Sequence, residues 1–385
     1  LFFWVARMIL MTTYMLQNVP FKTVYLHGLV RTRDGKKMSK SVPETCIDPL
    51  ESIAEHGTDA LRLALIQGTG PGQDLRLYPE KMESCRRFAN KIWNAGRYIL
   101  LTIPLGTPTA PPEKVHSELA QWLLHGLNDL IRHSQTGLEA HRLSDVVDSL
   151  RSFFWGEFCD WYLEMDKKPE RTDEDNQVLA YSYSTLLKLM HPYVPFVTEA
   201  LWEQFKQPKM LAVSEWPQEQ SYSFSESHNR IELLREAISQ IRTLREKANI
   251  GLDKKIGATL DSEKNAELFR THQNLIIRLA RLSELEINEK TPDSSRDNLG
   301  AYFNETLASI EASAVDWKKE IESLQKKLKT ESGFVEKSLK KLKNPGFLDK
   351  APEKVIIELR GKVASTEKTL EALKLQIHEL DKLVE

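Results

Sequence analysis

Cysteine is scarce. Cys46, Cys85 and Cys159 are the three in 385 residues, and no two of them share a CxxC spacing or lie beside a histidine cluster. That excludes a disulfide-stapled scaffold and a zinc knuckle, and it fits a reducing, cytosolic setting. Long apolar runs are lacking too. The longest, LFFWVARMILMTTYML from Leu1 to Leu16, is broken by Arg7 and reads as a buried helix rather than a membrane span. It lacks the basic flank and small-residue cleavage site of a secretory leader. Neither sign of charge dominates: 53 basic against 55 acidic residues leave a net charge of -2, so any basic surface must be local. There is no Walker loop and no GxGxxG. The run Gly68-Thr69-Gly70-Pro71-Gly72 has neither spacing and reads as a junction turn.

What is present is an ordinary globular composition, 41% hydrophobic and 28% charged, on a chain long enough for two or three domains. It begins without methionine, inside what reads as a packed element, as a fragment would. The first 78 residues alternate a helical run, a β-type run (Thr23 to Val30), a lysine-rich loop and an amphipathic run from Asp59 to Gln67. Such alternation predicts an α/β layer with a parallel sheet. From Pro79 the apolar residues fall three and four apart in FANKIWNAGRYILL, LAQWLLHGLNDLI and DVVDSLRSFFWGEFCDWYLEM, which predicts a helix bundle. From about 229 to 313, a helix over Arg230 to Lys247, another over Asn265 to Leu282, and the β-like IGATLD, LEIN and AYFNETLASIEA make a small α+β unit. The remainder is long helix with one break at NPGFLDKAP, where Pro345, Gly346 and Pro352 cannot continue a helix. Apolar residues on both sides keep steps of three and four, so the two arms fold back as an antiparallel coiled coil, each roughly 40–50 Å long at about 1.5 Å per residue.

Two lysine clusters stand out. RDGKKMSKS, residues 33–41, sets an Asp34-Gly35 turn before Lys37-Met38-Ser39-Lys40-Ser41. Lysines and hydroxyls so close on a loop can grip a polyphosphate and stabilise charge that grows as a bond breaks; equally, they can be solvated surface. Lys340, Lys341 and Lys343 belong to the second cluster, on the first arm of the hairpin. There the lysines either flank a coiled coil in solvent or touch a phosphate backbone, releasing counterions.

The residues match a family. KMSKS is the signature loop of class I aminoacyl-tRNA synthetases. LFFWVARM, YLHGLVR, KMSKS, IDPLE, GTDALRLAL, FANKIWNAGRY, FCDWYLEMDK and HPYVPFVTEALW occur here in the order seen in the valyl-tRNA synthetase family, and NPGFLDKAP resembles the turn of its C-terminal coiled coil. The resemblance implies a mostly α chain: the C-terminal part of a Rossmann-like catalytic domain (1–78), a helical anticodon-binding bundle (79–228), a small α+β linker domain (229–313) and a tRNA-binding coiled-coil arm (314–385). The His-x-Gly-His tetrapeptide of the class does not occur. The expectation is therefore a C-terminal fragment, with that half and the editing domain preceding Leu1, and inactive by itself.

The implied function is ATP-dependent activation of valine and its transfer to valine tRNA. Lys37 and Lys40 would be the catalytic pair, and His27, Gly28, Met38, Ser39 and Ser41 would complete the ATP contacts. Phe3 and Trp4 would wall the amino-acid pocket. Arg86, Arg87, Phe88 and Asn90 would face the anticodon stem-loop, and Lys340, Lys341 and Lys343 the tRNA backbone. Magnesium would enter with ATP, since no carboxylate cage for a metal is in view. A cytoplasmic monomer without membrane attachment is expected. Two alternatives stay open, a tRNA-binding module without catalysis and an isoleucyl- or leucyl-type synthetase fragment. A purely structural coiled-coil protein leaves the first 200 residues unexplained.

Overall fold

The computed structural model describes residues 3–38, 47–292, 300–310 and 317–342, together with positions 363, 366 and 370. The chain divides into two compact units, Leu1–Asn229 and Arg230–Glu385.

The first unit begins with helix α1 (Val5–Leu16). The predicted helix is there, but none of its residues is buried, and Met8, Leu10, Met11 and Tyr14 are exposed. This corrects the expectation of a buried helix. Periodicity reports that a segment is helical, whereas burial depends on what packs against it. The β-type run shrinks to β1 (Val30–Arg31), which pairs in parallel with β2 (Leu75–Arg76). Main-chain bonds nevertheless join the segments over a longer stretch: the N–H groups of Gly72, Leu75 and Leu77 donate to the carbonyls of Leu26, Leu29 and Arg31 at 2.8, 2.9 and 2.9 Å. Gly28 is what permits this approach. A Cβ there would overlap the carbonyl of Gln73 and stand 2.5 Å from the nitrogen of Asp74.

Two helices follow, α2 (Pro49–His56) and α3 (Thr58–Ile66). Asp48 caps α2 by accepting from the N–H groups of Leu50 and Glu51, with Pro49 in the first turn, where its missing N–H costs nothing. The carboxylate of Asp59 in α3 reaches α9 (Pro195–Trp202), accepting from the N–H groups of Phe196 (3.1 Å) and Val197 (2.7 Å). It supplies from across the fold the acceptor that a helix N-terminus needs.

The bundle consists of α4 (Pro79–Thr102), α5 (Glu118–Glu139), α6 (Leu143–Ser152), a π-helix over Phe153–Tyr162, the short α7 (Leu163–Met165), α8 (Asp173–Met190) and α9. The predicted continuous α-helix over DVVDSLRSFFWGEFCDWYLEM therefore widens in its middle. Phe154, Phe158 and Tyr162, four residues apart, stay buried in one inward column with ring centroids 5.8 and 6.0 Å apart. Tyr183 of α8 joins them and donates its hydroxyl to the carbonyl of Ile92 at 2.9 Å. Residues four apart share a face in either geometry, so the apolar spacing does not separate the two.

Helix α10 (Ser225–Lys247) begins just before the boundary at Arg230 and leads, in the second unit, into a four-stranded sheet in the order β4 (Leu282–Asn288), β3 (Ile256–Asp261), β6 (Thr306–Ile310), β5 (Gly300–Phe303). β3 (Ile256–Asp261) is the IGATLD run and pairs in parallel with β4 (Leu282–Asn288). The crossover between them holds α11 (Ala266–Thr271) and α12 (Gln273–Ala280), where one helix was predicted. β5 (Gly300–Phe303) and β6 (Thr306–Ile310) form a hairpin whose two loop residues, Asn304 and Glu305, both have positive φ, the conformation that matches strand twist. Helix α13 (Trp317–Leu342) is the first predicted arm, with Val335 and Ser338 buried. The NPGFLDKAP turn lies outside the described residues, as does the second arm apart from Val363, Thr366 and Leu370, which are helical.

Candidate nucleotide and RNA contact sites

Residues 31–37 form the predicted turn. The N–H of Gly35 donates to the carbonyl of Thr32 at 3.0 Å and the N–H of Thr32 to the carbonyl of Lys36 at 2.9 Å. Gly35 has φ +81°, which glycine adopts without steric cost. The base of the turn is fastened by Asp74, which neither motif nor periodicity marked. Its carboxylate accepts from the N–H of Leu29 at 2.8 Å and forms an ion pair with Arg31, whose Nη1 donates to the carbonyl of Gly35 at 3.2 Å. The Leu29 bond and then the Arg31 bond hold the Asp74 carboxyl below its ordinary range.

Lys37 leaves this base exposed to solvent and Met38 half-buried. Ser39, Lys40 and Ser41 lie outside the described residues. His27 is exposed and donates Nδ1–H to the carbonyl of Gly28 at 2.8 Å. Phe3 and Trp4 are also exposed, Trp4 to 69%, with Arg7 5.5 Å from its ring centroid.

On α4, Arg86 and Arg87 share one carboxylate, that of Glu83, with bonds of 2.7, 3.0 and 3.1 Å. Those bonds, Arg86 first, pull the Glu83 carboxyl down to about 2. Phe88 is a correction to the anticodon-facing set: it is 3% exposed, packs edge-on against Phe154 at 5.8 Å and lies under the Arg151 guanidinium. It belongs to the core, because the helix turns its side chain about 100° away from that of Arg87. Asn90 is exposed. Sequence reasoning missed Trp93, 41% exposed, and Arg97, which continue the stripe of Arg86 and Asn90 at steps of three and four. That spacing was the signal that could have found them. Beside them, Lys91 donates to Asp160 at 3.2 Å and sits 5.1 Å from the Trp155 ring centroid.

On α13, Lys340 is exposed and donates to Glu336 at 2.7 Å, a bond that raises its pKa. The Lys341 side chain and Lys343 lie outside the described residues. Among the described residues, no group of three His, Cys, Asp or Glu side chains could hold a metal ion, and no helix is long and apolar enough to cross a membrane.

Comparison with known proteins matches the regions one by one. Residues 1–78 match the family model of class I tRNA synthetases (I, L, M and V), and residues 120–260 that of the anticodon-binding domain of tRNA ligase. Together these define the class as class I tRNA synthetases. Residues 316–381 match the valyl tRNA synthetase tRNA binding arm. The valine-tRNA ligase of Clostridium acetobutylicum is 36% identical over 98% of this chain and 44% of its own length; that of Carboxydothermus hydrogenoformans is 36% identical over 99% and 44%. The chain belongs to the valine-tRNA ligase family, aligning with the C-terminal part of its members. It thus spans less than half the length of these relatives. A LeuRS of Agrobacterium radiobacter, solved in a ternary complex with tRNA, aligns at a TM-score of 0.45 with 18% identity over 55% of this chain and 26% of that one.

Proposed function

We propose that these residues serve a valine-tRNA ligase, holding ATP phosphates through the 37–41 loop and tRNA through the bundle and the arm. The observation that carries the reading is identity of 36% sustained over 98% of the chain with a valine-tRNA ligase, alongside separate matches to an anticodon-binding domain and a tRNA-binding arm. On this reading residues 1–78 are part of the catalytic domain, 79–228 the anticodon bundle, 229–313 a linker domain and 314–385 the arm.

In the first step the valine carboxylate attacks the α-phosphorus of ATP and the bond to pyrophosphate breaks. In the second, a ribose hydroxyl of the tRNA's terminal adenosine attacks the valyl carbonyl and AMP departs. Neither step needs a covalent enzyme nucleophile. Lys37 and Lys40, with Ser39 and Ser41, place positive charge and donors on the departing pyrophosphate, where charge develops. Magnesium arrives with ATP. The fixed base of the loop, with Asp74 tying Arg31 and Leu29, supports this reading because a lysine on an anchored turn costs less reorganisation as the bond breaks. His27 and Gly28 would contact the nucleotide through the main chain, and Phe3 and Trp4 would line the valine side. Arg86, Arg87 and Asn90 remain the anticodon-side contacts, without Phe88. The protein would work as a cytoplasmic monomer, and residues 1–385 alone would not activate valine.

The test is valine-dependent exchange between ATP and pyrophosphate by the enzyme that carries these residues. Lys40→Ala should slow exchange on the order of 10²-fold, as expected when one charge that stabilises the transition state is removed, with valine binding little changed. An unchanged exchange rate removes Lys40 from the mechanism.

A further inference from the structure

The α+β unit contains a cavity of about 510 Å³, bounded by the end of α10, the turn at Gly251 and Leu252, and the C-terminus of α12. Three arginines line it, Arg242, Arg245 and Arg281, against one acid, Glu246.

Each arginine is held in place by carbonyl oxygens. Arg245 is 3% exposed; its Nη1 donates to the carbonyls of Ala280 (3.3 Å) and Arg281 (2.6 Å), and its Nη2 to those of Gly251 (2.9 Å) and Lys254 (2.7 Å). Carbonyls orient a guanidinium but do not neutralise it. Burial pushes the Arg245 pKa down, Arg281 pushes it the same way, and Asp253 opposes them. Exposed Arg242 donates Nε and Nη2 to the carbonyl of Leu279 at 3.1 and 2.9 Å. Arg281, also exposed, ends α12 with φ 56°, a left-handed conformation in which glycine is the common residue. Its Nη1 donates to the carbonyl of Leu252 at 2.9 Å, while Nε and Nη2 make no hydrogen bond among the described residues.

Cations at a helix C-terminus have a ready structural role, satisfying the last carbonyls and the dipole. Arg242 and Arg245 already perform it for α12. Arg281 adds a third positive charge at a backbone position where a side chain is a cost, and turns it toward Leu252, a leucine 69% exposed. The result is a positively charged cavity with an apolar lip, and a planar guanidinium presents paired donors that match phosphate oxygens.

We propose that this cavity on the α+β unit holds a backbone phosphate of the bound tRNA, with Arg242 and Arg281 as its contacts and Arg245 as the buried charge that positions them. The site rests on the reading of this chain as tRNA-binding, and it adds a contact apart from the bundle and the arm.

The experiment measures binding of residues 1–385 to a valine-tRNA transcript by fluorescence anisotropy across a salt series. Arg242→Gln and Arg281→Gln should each weaken binding roughly tenfold and reduce the slope of log affinity against log salt by about one, as when one phosphate is no longer neutralised. Arg281→Gly relieves the left-handed backbone while removing the guanidinium, so it should fold at least as well and show the same weakening. Lys264→Gln, at an exposed ion pair with Glu305, should leave affinity and slope unchanged. Inorganic phosphate should displace the transcript no better than chloride of equal ionic strength. Wild-type affinity and slope in Arg281→Gly and Arg242→Gln overturn the site alone, and phosphate-specific displacement reassigns it to a free anion. Absence of binding by the unmodified chain overturns the tRNA-binding reading and the site with it.

Discussion

Gly28→Ala should disable the base of the 37–41 loop without touching the loop itself. The added methyl would meet the backbone of Gln73 and Asp74, which cannot swing aside as a side chain can. Relief requires the segments 26–31 and 72–77 to separate, breaking the three main-chain bonds from Gly72, Leu75 and Leu77. At about 1 kcal/mol each, the local cost is about 3 kcal/mol. That corresponds to roughly 100-fold in the opening equilibrium, at about 1.4 kcal/mol per tenfold. Amide hydrogen exchange reads it directly: Leu75 and Leu77 should lose roughly 100-fold protection, while bundle amides such as that of Ile92 change little. Gly156→Ala is the control, since a Cβ there meets nothing within 4 Å. Undiminished protection of Leu75 and Leu77 in Gly28→Ala refutes the close approach and the role given to Gly28.

Three further outcomes are expected. Phe88→Ala should destabilise the first unit by about 3–5 kcal/mol in denaturant melts, as for a buried aromatic; a variant that melts normally but loses tRNA affinity would return Phe88 to the RNA face. Glu83 should titrate at about 2 rather than 4.5 when followed by NMR. Because the folded form binds fewer protons than the unfolded chain between those values, the Glu83 contribution is fully present above about 4.5 and is lost as pH falls through about 2; a midpoint at 4.5 would show that Arg86 and Arg87 do not share it. Deleting Trp317 to Glu385 should raise the apparent KM for tRNA and flatten its salt dependence while adenylate formation is nearly untouched; unchanged tRNA kinetics would make the arm a structural element.

Local chemistry was legible where it is set by neighbours in the chain. Asp34-Gly35 specified its turn because the backbone there needs positive φ, and IGATLD specified β3 because its β-rich run is bounded by polar residues. Contacts between distant segments were not legible. Asp74 fastens a turn some forty residues earlier, and Asp59 caps a helix that begins at Pro195; no local pattern marks either. Phe88 shows a third limit, since a motif next to two arginines says nothing about which side of the helix each residue occupies. Arg281 was hidden for a related reason: its significance lies in a left-handed backbone and a cavity assembled from α10 and α12, and in sequence it is one of many surface arginines.

The proposed membership of these residues in an enzyme that charges valine tRNA with valine is decided by a charging assay with the enzyme that carries them. Labelled valine should be attached to the valine-tRNA transcript, with isoleucine and leucine giving no stable product on that transcript or on their own tRNAs. Stable charging of an isoleucine or leucine tRNA with its own amino acid, and none of valine tRNA with valine, would contradict it.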